Sequence, residues 1–375
     1  MTGPKLLILV TEGWYFLSHR LALARAAMTH GFEVVVVTRA GDQRAAIEAA
    51  GIRVISYPFD RRGMNPLRAM LDVLRLARLI RSERPSIVHN VALKPVVLGG
   101  LACRLNGCRN VVNAVAGMGF LFTDHSRAPI AAALVRKLLA MIGSRGVTIV
   151  QNLDDRRLLE KAGVPAYRIR HLPGVGVDLQ MFGQAPEPSG VPVVAFPARL
   201  LRDKGVAEFV EAARILKSRG VTVRCVMVGM LDKGNPTSIS TEQLESWVNE
   251  GMVEWWGHSA DMPATFARTS IVCLPSYREG FPKVLAEAAA CGRAIVTTDA
   301  PGCRDVVIDG ENGLLVPPRD AGRLATAIEI LVADSALRRR FGQSGRRRAE
   351  KEFSSESANA GMLRIYTEML AGIQA

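Results

Sequence analysis

Four consecutive valines, Val34, Val35, Val36 and Val37, lie in a short apolar run over residues 32–38, with a stretch of helical character on either side. That unit recurs along the whole chain. Runs at 6–10, 52–57, 86–89, 111–115 and 147–150 alternate with helical stretches at 17–28 (closed by His30 and Gly31), 45–50, 66–81, 96–105 and 130–142. A strand that reads as a solid apolar run, rather than as alternating residues, is buried on both faces. Strands of that kind alternating with helices predict parallel sheets built from right-handed βαβ units. The alternation pauses over 174–191, which holds Gly174, Gly176, Gly183, Pro186, Pro188, Ser189 and Gly190, and this predicts a linker. It restarts with apolar runs at 193–196, 221–228, 253–256, 271–274 and 294–297 and helical stretches at 206–217 and 283–290. Helices near 321–331, 336–350 and 356–371 close the chain. The expected fold is α/β: two facing Rossmann-like, doubly wound parallel-sheet domains over residues 1–175 and 192–352, joined by a linker at 176–191. A C-terminal helix over 353–375 is expected to cross back to the first domain. Ligands of such sheets bind outside the carboxyl ends of the strands. Two facing edges would let one domain hold a donor and the other an acceptor.

The segment richest in chemistry runs Pro275-Ser276-Tyr277-Arg278-Glu279-Gly280-Phe281-Pro282-Lys283-Val284 and continues to Glu287. It follows the run at 271–274. Pro282 suits a first helical turn, because its missing N–H has no partner to lose there. A helix N-terminus just after Glu279 and Gly280 would offer free N–H groups and a dipole to an anion such as a nucleotide diphosphate. Glu279 and Glu287 are eight residues apart, up to roughly 12 Å along a helix. A retaining glycosidase pair needs about 5 Å, so the two acids have different tasks. Glu279 can hold sugar hydroxyls and Glu287 a ribose diol; equally, Glu279 can cap the helix and Glu287 lie on a solvated face. The second segment, Phe196-Pro197-Ala198-Arg199-Leu200-Leu201-Arg202-Asp203-Lys204-Gly205, follows the first strand of the second half. Arg199 and Lys204 are a fitting counter-charge for a leaving diphosphate. The alternative is a basic turn with Asp203 as helix N-cap.

These two segments, in this order, resemble the retaining glycosyltransferases of family 4, which have the two-Rossmann GT-B architecture. The matching residues are Glu279 and Glu287 with seven between them, the run 198–205, Val228-Gly229, residues 288–292, the run 298–305 and the run 309–318. In the first half, residues 86–90 and 112–122 are similar to the branch that extends lipid-linked sugars for bacterial surface polysaccharides. The resemblance implies that Arg199 and Lys204 bind the donor diphosphate and stabilise its departure, that Glu287 binds the ribose and that Glu279 contacts the donor sugar. Backbone groups of Gly280, Phe281, Pro282, Lys283 and Val284 would assist, with the Gly229 loop near the base. It further implies no essential metal and no cofactor beyond the nucleotide-sugar donor, a UDP-sugar. The implied reaction is transfer, with retention, to a lipid-linked saccharide acceptor. Many family members carry a histidine where this chain has Ala116, so the resemblance supports no catalytic histidine at that position; His89, which ends the preceding strand, either serves near the cleft or is a structural edge histidine. Acceptor-side candidates are His89, Asn90, Lys94 and Glu12. Gly13, in the loop 11–15 expected after the first strand, is a donor-binding candidate that would admit a close ligand; its neighbours Trp14 and Tyr15 read equally as cleft or packing residues. Gly292-Arg293-Ala294 stands where the family has Gly-x-Pro.

Charge is distributed unevenly. Residues 1–175 hold 25 Lys+Arg and 11 Asp+Glu; residues 176–375 hold 23 and 24, so the formal +13 arises wholly in the first half. The helix at 66–81 carries Arg68, Arg75, Arg78 and Arg81, flanked by Arg61, Arg62 and Arg84. Leu67, Met70, Leu71, Leu74 and Ile80 are expected to form its opposite, apolar face. Arg136 and Lys137 interrupt the apolar stretch at 130–142, and Arg145 follows it. Basic amphipathic helices suit an anionic leaflet, where each near-surface cation contributes about 1 kcal/mol. The expectation is a cytoplasmic protein held peripherally on the inner leaflet of the cytoplasmic membrane, since no run nears the ~20 apolar residues of a span and no signal peptide opens the chain. The clusters at Arg338–Arg340 and Arg346–Arg348 read as solvated. Cys103, Cys108, Cys225, Cys273, Cys291 and Cys303 lack metal or C-x-x-C spacing and read as small buried or incidental thiols of a reducing compartment. A UDP-sugar epimerase of two-Rossmann form is the nearest rival. No G-x-G-x-x-G favours a dehydrogenase, and no zinc spacing or RNA-binding aromatic motif favours a nucleic-acid partner.

Overall fold

The computed structural model describes residues 3–59, 66–117, 129–232 and 234–372. The chain divides into two compact units, Met1–Val175 with Glu356–Ala375, and Gly176–Ser355.

Unit 1 is built on a parallel sheet of seven strands among the described residues: β1 (Lys5–Glu12), β2 (Glu33–Arg39), β3 (Arg53–Ser56), β4 (Ile87–Val91), β5 (Val111–Val115), β6 (Val147–Val150) and β7 (Ile169–His171). Their order is β3-β2-β1-β4-β5-β6-β7, so the chain reverses its winding between β1 and β4. The connections are α1 (Gly13–His19), α2 (Leu21–Thr29), α3 (Arg44–Ala49), α4 (Pro66–Glu83), α5 (Leu93–Leu105), α6 (Pro129–Gly143) and α7 (Leu153–Lys161). The valine run shows why its strand is apolar throughout. Val34 and Val36 enter one core cluster and Val35 and Val37 the cluster on the opposite face, as the two-residue period of a strand requires.

Unit 2 has six parallel strands among the described residues, β8 (Val193–Pro197), β9 (Arg224–Val228), β10 (Glu254–Trp255), β11 (Ile271–Leu274), β12 (Ala294–Thr298) and β13 (Gly313–Val316), in the order β10-β9-β8-β11-β12-β13. Its helices are α8 (Val206–Ser218), α9 (Thr241–Asn249), α10 (Met262–Ala267), α11 (Lys283–Ala290), α12 (Cys303–Val306), α13 (Ala321–Ala333) and α14 (Ser335–Glu352). The last helix, α15 (Ser355–Leu370), leaves unit 2 and places Met362, Leu363, Ile365 and Tyr366 in the core of unit 1. The two points where the chain passes between units are bonded side by side. The Val177 amide donates to the Phe353 carbonyl at 2.7 Å, and the Ser355 amide donates to the Val177 carbonyl at 2.9 Å.

Several local expectations change. The helix expected over 17–28 is two helices broken at Arg20 (φ −130°, ψ −11°), so Trp14 and Tyr15 stand in the first turn of α1 rather than in a loop. Residues 176–191 form no free linker; Val177 and Phe182 are buried in the core of unit 2. The late arginine clusters are not simply solvated. The Arg338 guanidinium bonds Glu187 and the Leu331 and Val332 carbonyls, Arg346 donates to the Phe182 and Ala290 carbonyls, and Arg348 to those of Asp305 and Val306. Each of them pins peptide groups that lie in other segments. Arg61, Arg62 and residues 118–122 lie outside the described residues.

Candidate donor site and acceptor-side edge

In unit 2 the winding reverses between β8 and β11, which are hydrogen-bonded neighbours. This is where an open α/β sheet has its ligand crevice. After β8 the chain makes a 3-10 turn over Arg202–Lys204 and passes through Gly205 at φ 76° into α8. A Cβ on Gly205 would come within 2.2 Å of the Pro275 carbonyl oxygen. Only glycine lets the two loops touch. The contact has a consequence: Lys204 Nζ meets Glu279 Oε1 at 2.5 Å, with the two side chains 19% and 12% exposed. Ser276 Oγ donates to the same oxygen at 2.7 Å, and the Glu279 amide donates to the Pro301 carbonyl at 2.9 Å. The two sequence segments thus converge on one ion pair at the switch point. Cys303 is buried beside it, and its thiol is pushed up to about 12, first by burial and then by the Glu279 charge.

Arg199 lies in the loop after β8, half exposed, and donates from Nη1 to Asp232 Oδ2 at 2.8 Å. Asp232 follows Gly229, whose backbone passes so near that a Cβ there would lie 1.9 Å from the Ala198 carbonyl oxygen. The three short loops after β8, β9 and β11 are therefore knitted together. Asp203 is not a helix cap: its carboxylate accepts from Thr237 Oγ1 at 2.6 Å, and Gly205 holds the cap position of α8. Pro282 is the N-cap of α11, one position earlier than expected, and Leu285 donates back to its carbonyl. The helix of Lys283 and Val284 thus starts at the carboxyl edge of β11, just past Gly280 and Phe281. Glu287 is neither solvated nor exposed. It is 7% accessible, Lys283 Nζ stands 3.1 Å from its Oε1, and burial holds its carboxyl above the usual range against the pull of Lys283.

Asp232 and Ser276 are the neighbours that sequence reasoning missed. So is Tyr277, whose hydroxyl donates to Glu208 at 2.5 Å while Arg319 lies over its ring at 4.6 Å. All three sit in or beside the segments that carried the resemblance, but a contact between loops leaves no spacing signal.

The corresponding edge of unit 1 differs. His89 is wholly buried, with Nδ1 bonded to the Tyr366 hydroxyl of α15 at 2.6 Å, and burial keeps its ring well below the ordinary histidine range. Asn90 is equally buried and donates to Asn113 Oδ1 at 2.9 Å. The expectation that these two strand residues meet an acceptor is corrected: they tie β4 to α15 and to β5. Glu12 pairs with Arg39 across β1 and β2. Gly13 backs onto the end of β2, where a Cβ would lie 3.0 Å from the Ala40 carbonyl, so packing accounts for its lack of a side chain. Lys94, half-buried, lies in the first turn of α5. The residue before that helix, Ala92, is held at φ 71°, ψ 163°, a conformation that only glycine adopts freely. It gave no sequence signal.

Helix α4 presents three stripes. Val73, Leu76 and Ile80 are buried; Leu67, Met70, Leu71 and Leu74 are 70%, 58%, 48% and 42% exposed. Arg68, Arg75 and Arg78 are exposed beside the outer apolar stripe. The expected single apolar face is therefore split, with Ile80 inward and the other four outward. Arg136 and Lys137 are exposed on α6 near Leu134. Among the described residues no helix is long and apolar enough to cross a membrane.

Comparison with known proteins bears on both units. Residues 5–151 match the family model described as glycosyl transferase 4-like, and residues 179–348 the model for glycosyl transferases group 1. The chain is 28% identical over 349 residues to the N,N'-diacetylbacillosaminyl-diphospho-undecaprenol alpha-1,3-N-acetylgalactosaminyltransferase of Campylobacter jejuni, covering 86% of this chain and 90% of that one. Its fold is similar to that of HepE from Anabaena, solved with UDP and glucose, at a TM-score of 0.79 and 19% identity over 97% of this chain and 99% of that one. It is also similar to that of sucrose-phosphate synthase from Thermosynechococcus elongatus, at a TM-score of 0.81 and 20% identity over 98% and 100%. With a glycosyltransferase model matched to each unit and the same double sheet in the solved relatives, the chain belongs to the family-4-like glycosyltransferases and has the GT-B fold of two Rossmann-like domains.

Proposed function

We propose that this glycosyltransferase moves a sugar from a UDP-hexose or UDP-N-acetylhexosamine to a polyprenyl-diphosphate-linked saccharide, in the assembly of a surface glycan such as an O-antigen or capsule. Transfer retains the anomeric configuration and needs no metal ion. The observation that carries this reading is the Lys204–Glu279 pair at the β8/β11 switch point, with Arg199 beside it. In the free protein Glu279 neutralises Lys204. When the donor arrives, Lys204 and Arg199 turn to the diphosphate, and the first-turn amides of α11 add the donors that every helix start leaves without an intrahelical partner. Glu279, released, accepts from donor-sugar hydroxyls, and Glu287 accepts from the ribose. As the anomeric carbon–oxygen bond breaks, charge gathers on the departing diphosphate, where fixed cations lower the barrier most. The acceptor oxygen bonds the anomeric carbon from the same face, and its proton passes to the leaving phosphate.

The lipid-linked acceptor is supported by the Campylobacter relative, whose name specifies a diphospho-undecaprenol saccharide. UDP as the donor nucleotide is supported by the HepE complex. On this reading unit 1 receives the acceptor, with Lys94 and Glu12 at its edge. The outer stripes of α4, together with Arg136 and Lys137, dock the enzyme on the anionic inner leaflet of the cytoplasmic membrane. The test is a panel of labelled UDP-sugars incubated with membrane lipid extract and EDTA. Label should enter the lipid phase with the donor's anomeric configuration, as read by NMR. Interconversion of the donor sugar without acceptor would instead identify an epimerase, and loss of transfer in EDTA would refute metal independence.

A further inference from the structure

Helix α5 ends in a Schellman motif. Gly107, at φ 66°, occupies the left-handed position; its amide donates to the Arg104 carbonyl at 3.2 Å, and the Cys108 amide donates to the Cys103 carbonyl at 2.9 Å. This closure brings the residue three before the cap into contact with the second residue after it, a contact normally made by two apolar side chains. Here both positions are cysteines. Cys103 is buried in the core cluster that packs between the sheet and α4 and α5, and half-buried Cys108 packs against that same cluster. The amide-to-carbonyl distance of 2.9 Å, extended by standard bond lengths, puts their Cα atoms at most about 6.8 Å apart. Disulfides span about 4.4–6.8 Å. Both thiols are free in this structure.

We propose that Cys103 and Cys108 form a reversible dithiol–disulfide pair, a thiol-modification site that small disulfides such as oxidised glutathione oxidise. The Cys108 thiolate attacks one sulfur of the oxidant, forming a mixed disulfide and releasing one reduced glutathione. Cys103 loses its proton and attacks Cys108 Sγ, closing the protein disulfide and releasing the second. Two protein thiols are oxidised and one disulfide is reduced, so atoms and electrons balance. The roles follow from position. Cys108 reaches solvent, and a hydrogen bond from the Cys103 thiol holds it down at about 7; Cys103 is buried and acts as the resolving thiol. Closure staples the end of α5 beside α4, to which the same cap is bonded by Asn106 Nδ2 and the Ala77 carbonyl at 2.8 Å.

The test uses the reduced full chain, treated with oxidised glutathione at neutral pH, quenched with acid, alkylated and mapped by mass spectrometry. The expected product joins the Cys103 and Cys108 peptides with loss of two hydrogens and no retained glutathione, and dithiothreitol reverses it. Cys108 should be alkylated in the reduced fold at least about tenfold faster than the buried Cys225, Cys273, Cys291 and Cys303. Cys103→Ala should trap glutathione on Cys108, and Cys108→Ser should give neither product, with circular dichroism showing that each variant is folded. Should Cys103→Ala fail to fold, the wild-type map decides alone. Glutathione retained on Cys108 without the internal bond, or both thiols left reduced, overturns the proposal.

Discussion

The two units share one winding, 3-2-1-4-5-6 from β3 through β6 in unit 1 and from β10 through β13 in unit 2, yet their switch points are chemically opposite. In unit 2 the crevice holds a part-exposed ion pair, Lys204–Glu279, with a second pair, Arg199–Asp232, in the neighbouring loop. In unit 1 the equivalent strand holds buried neutral groups, His89 on Tyr366 and Asn90 on Asn113, and the backbone after it is strained at Ala92. Formal charge runs the other way. Unit 1 has 26 Lys+Arg against 13 Asp+Glu, whereas unit 2 has 22 of each. The unit with no net charge thus carries a compact cluster of ion pairs at its switch point, and the unit with the surplus exposes Arg68, Arg75, Arg78, Arg136 and Lys137 on α4 and α6. Topology chooses where a site lies, and a few loop residues choose what it does.

The contrast between the two switch points rests most heavily on Lys204. Lys204→Ala should lower kcat/KM by about 10³-fold, the size expected on removing a fixed charge from a developing anion. Glu279→Ala should cost a similar factor, and the double variant clearly less than the product, because the two act as one unit. Near-normal turnover in either single variant would sink the donor-site reading. On unit 1, Arg68→Gln, Arg75→Gln and Arg78→Gln together should weaken binding to anionic vesicles about 10²-fold, at about 1 kcal/mol for each cation. Binding that is equal for neutral and anionic vesicles in the parent protein would remove the membrane role of this surplus. Co-sedimentation across a salt series measures both.

Glu287 tests the donor site through pH. Its carboxyl is raised in the folded state, so the native chain holds the proton more tightly than the unfolded chain. Stability should fall as pH rises through the window above the ordinary value of 4.5. Glu287→Gln should flatten that fall in thermal melts while raising the donor KM about tenfold, the scale of one lost hydrogen bond to a charged group. A variant with the parental pH dependence would show that burial of this carboxylate costs nothing. The smallest effect is expected at the strained edge of unit 1. Ala92→Gly should stabilise by about 1 kcal/mol as the backbone strain is relieved, partly offset by glycine's greater unfolded freedom. Denaturant midpoints measure it.

Much of the fold was legible because the parallel strands are short and buried on both faces. Val111–Val115 and Val147–Val150 are strands at the boundaries their apolar runs predict, and α11 occupies Lys283–Ala290 as expected. What was not legible depended on local exceptions. The break at Arg20 has neither glycine nor proline to mark it. Strand β13 was hidden inside a motif read for chemistry, and Asn312, whose side chain takes the Ile308 amide at 2.7 Å, shows that part of that motif is structural. The cysteines read as incidental because C-x(4)-C is not a recognised spacing; only the helix cap brings Cys103 and Cys108 together.

By itself the chain determined two parallel α/β units, their family, the polar segments that follow β8 and β11 and the unequal charge, since strand period, helix starts and residue type are local properties that survive without coordinates. Tertiary structure decided the rest. It joined Lys204 to Glu279 across 75 residues and buried His89 against Tyr366 across 277. It turned Leu67, Met70, Leu71 and Leu74 outward and sent the late arginines to distant carbonyls. The physical reason is common to all four. Whether a polar group binds a ligand or the protein itself depends on which loops and helices meet at its position, and that is settled by packing between segments far apart in the chain.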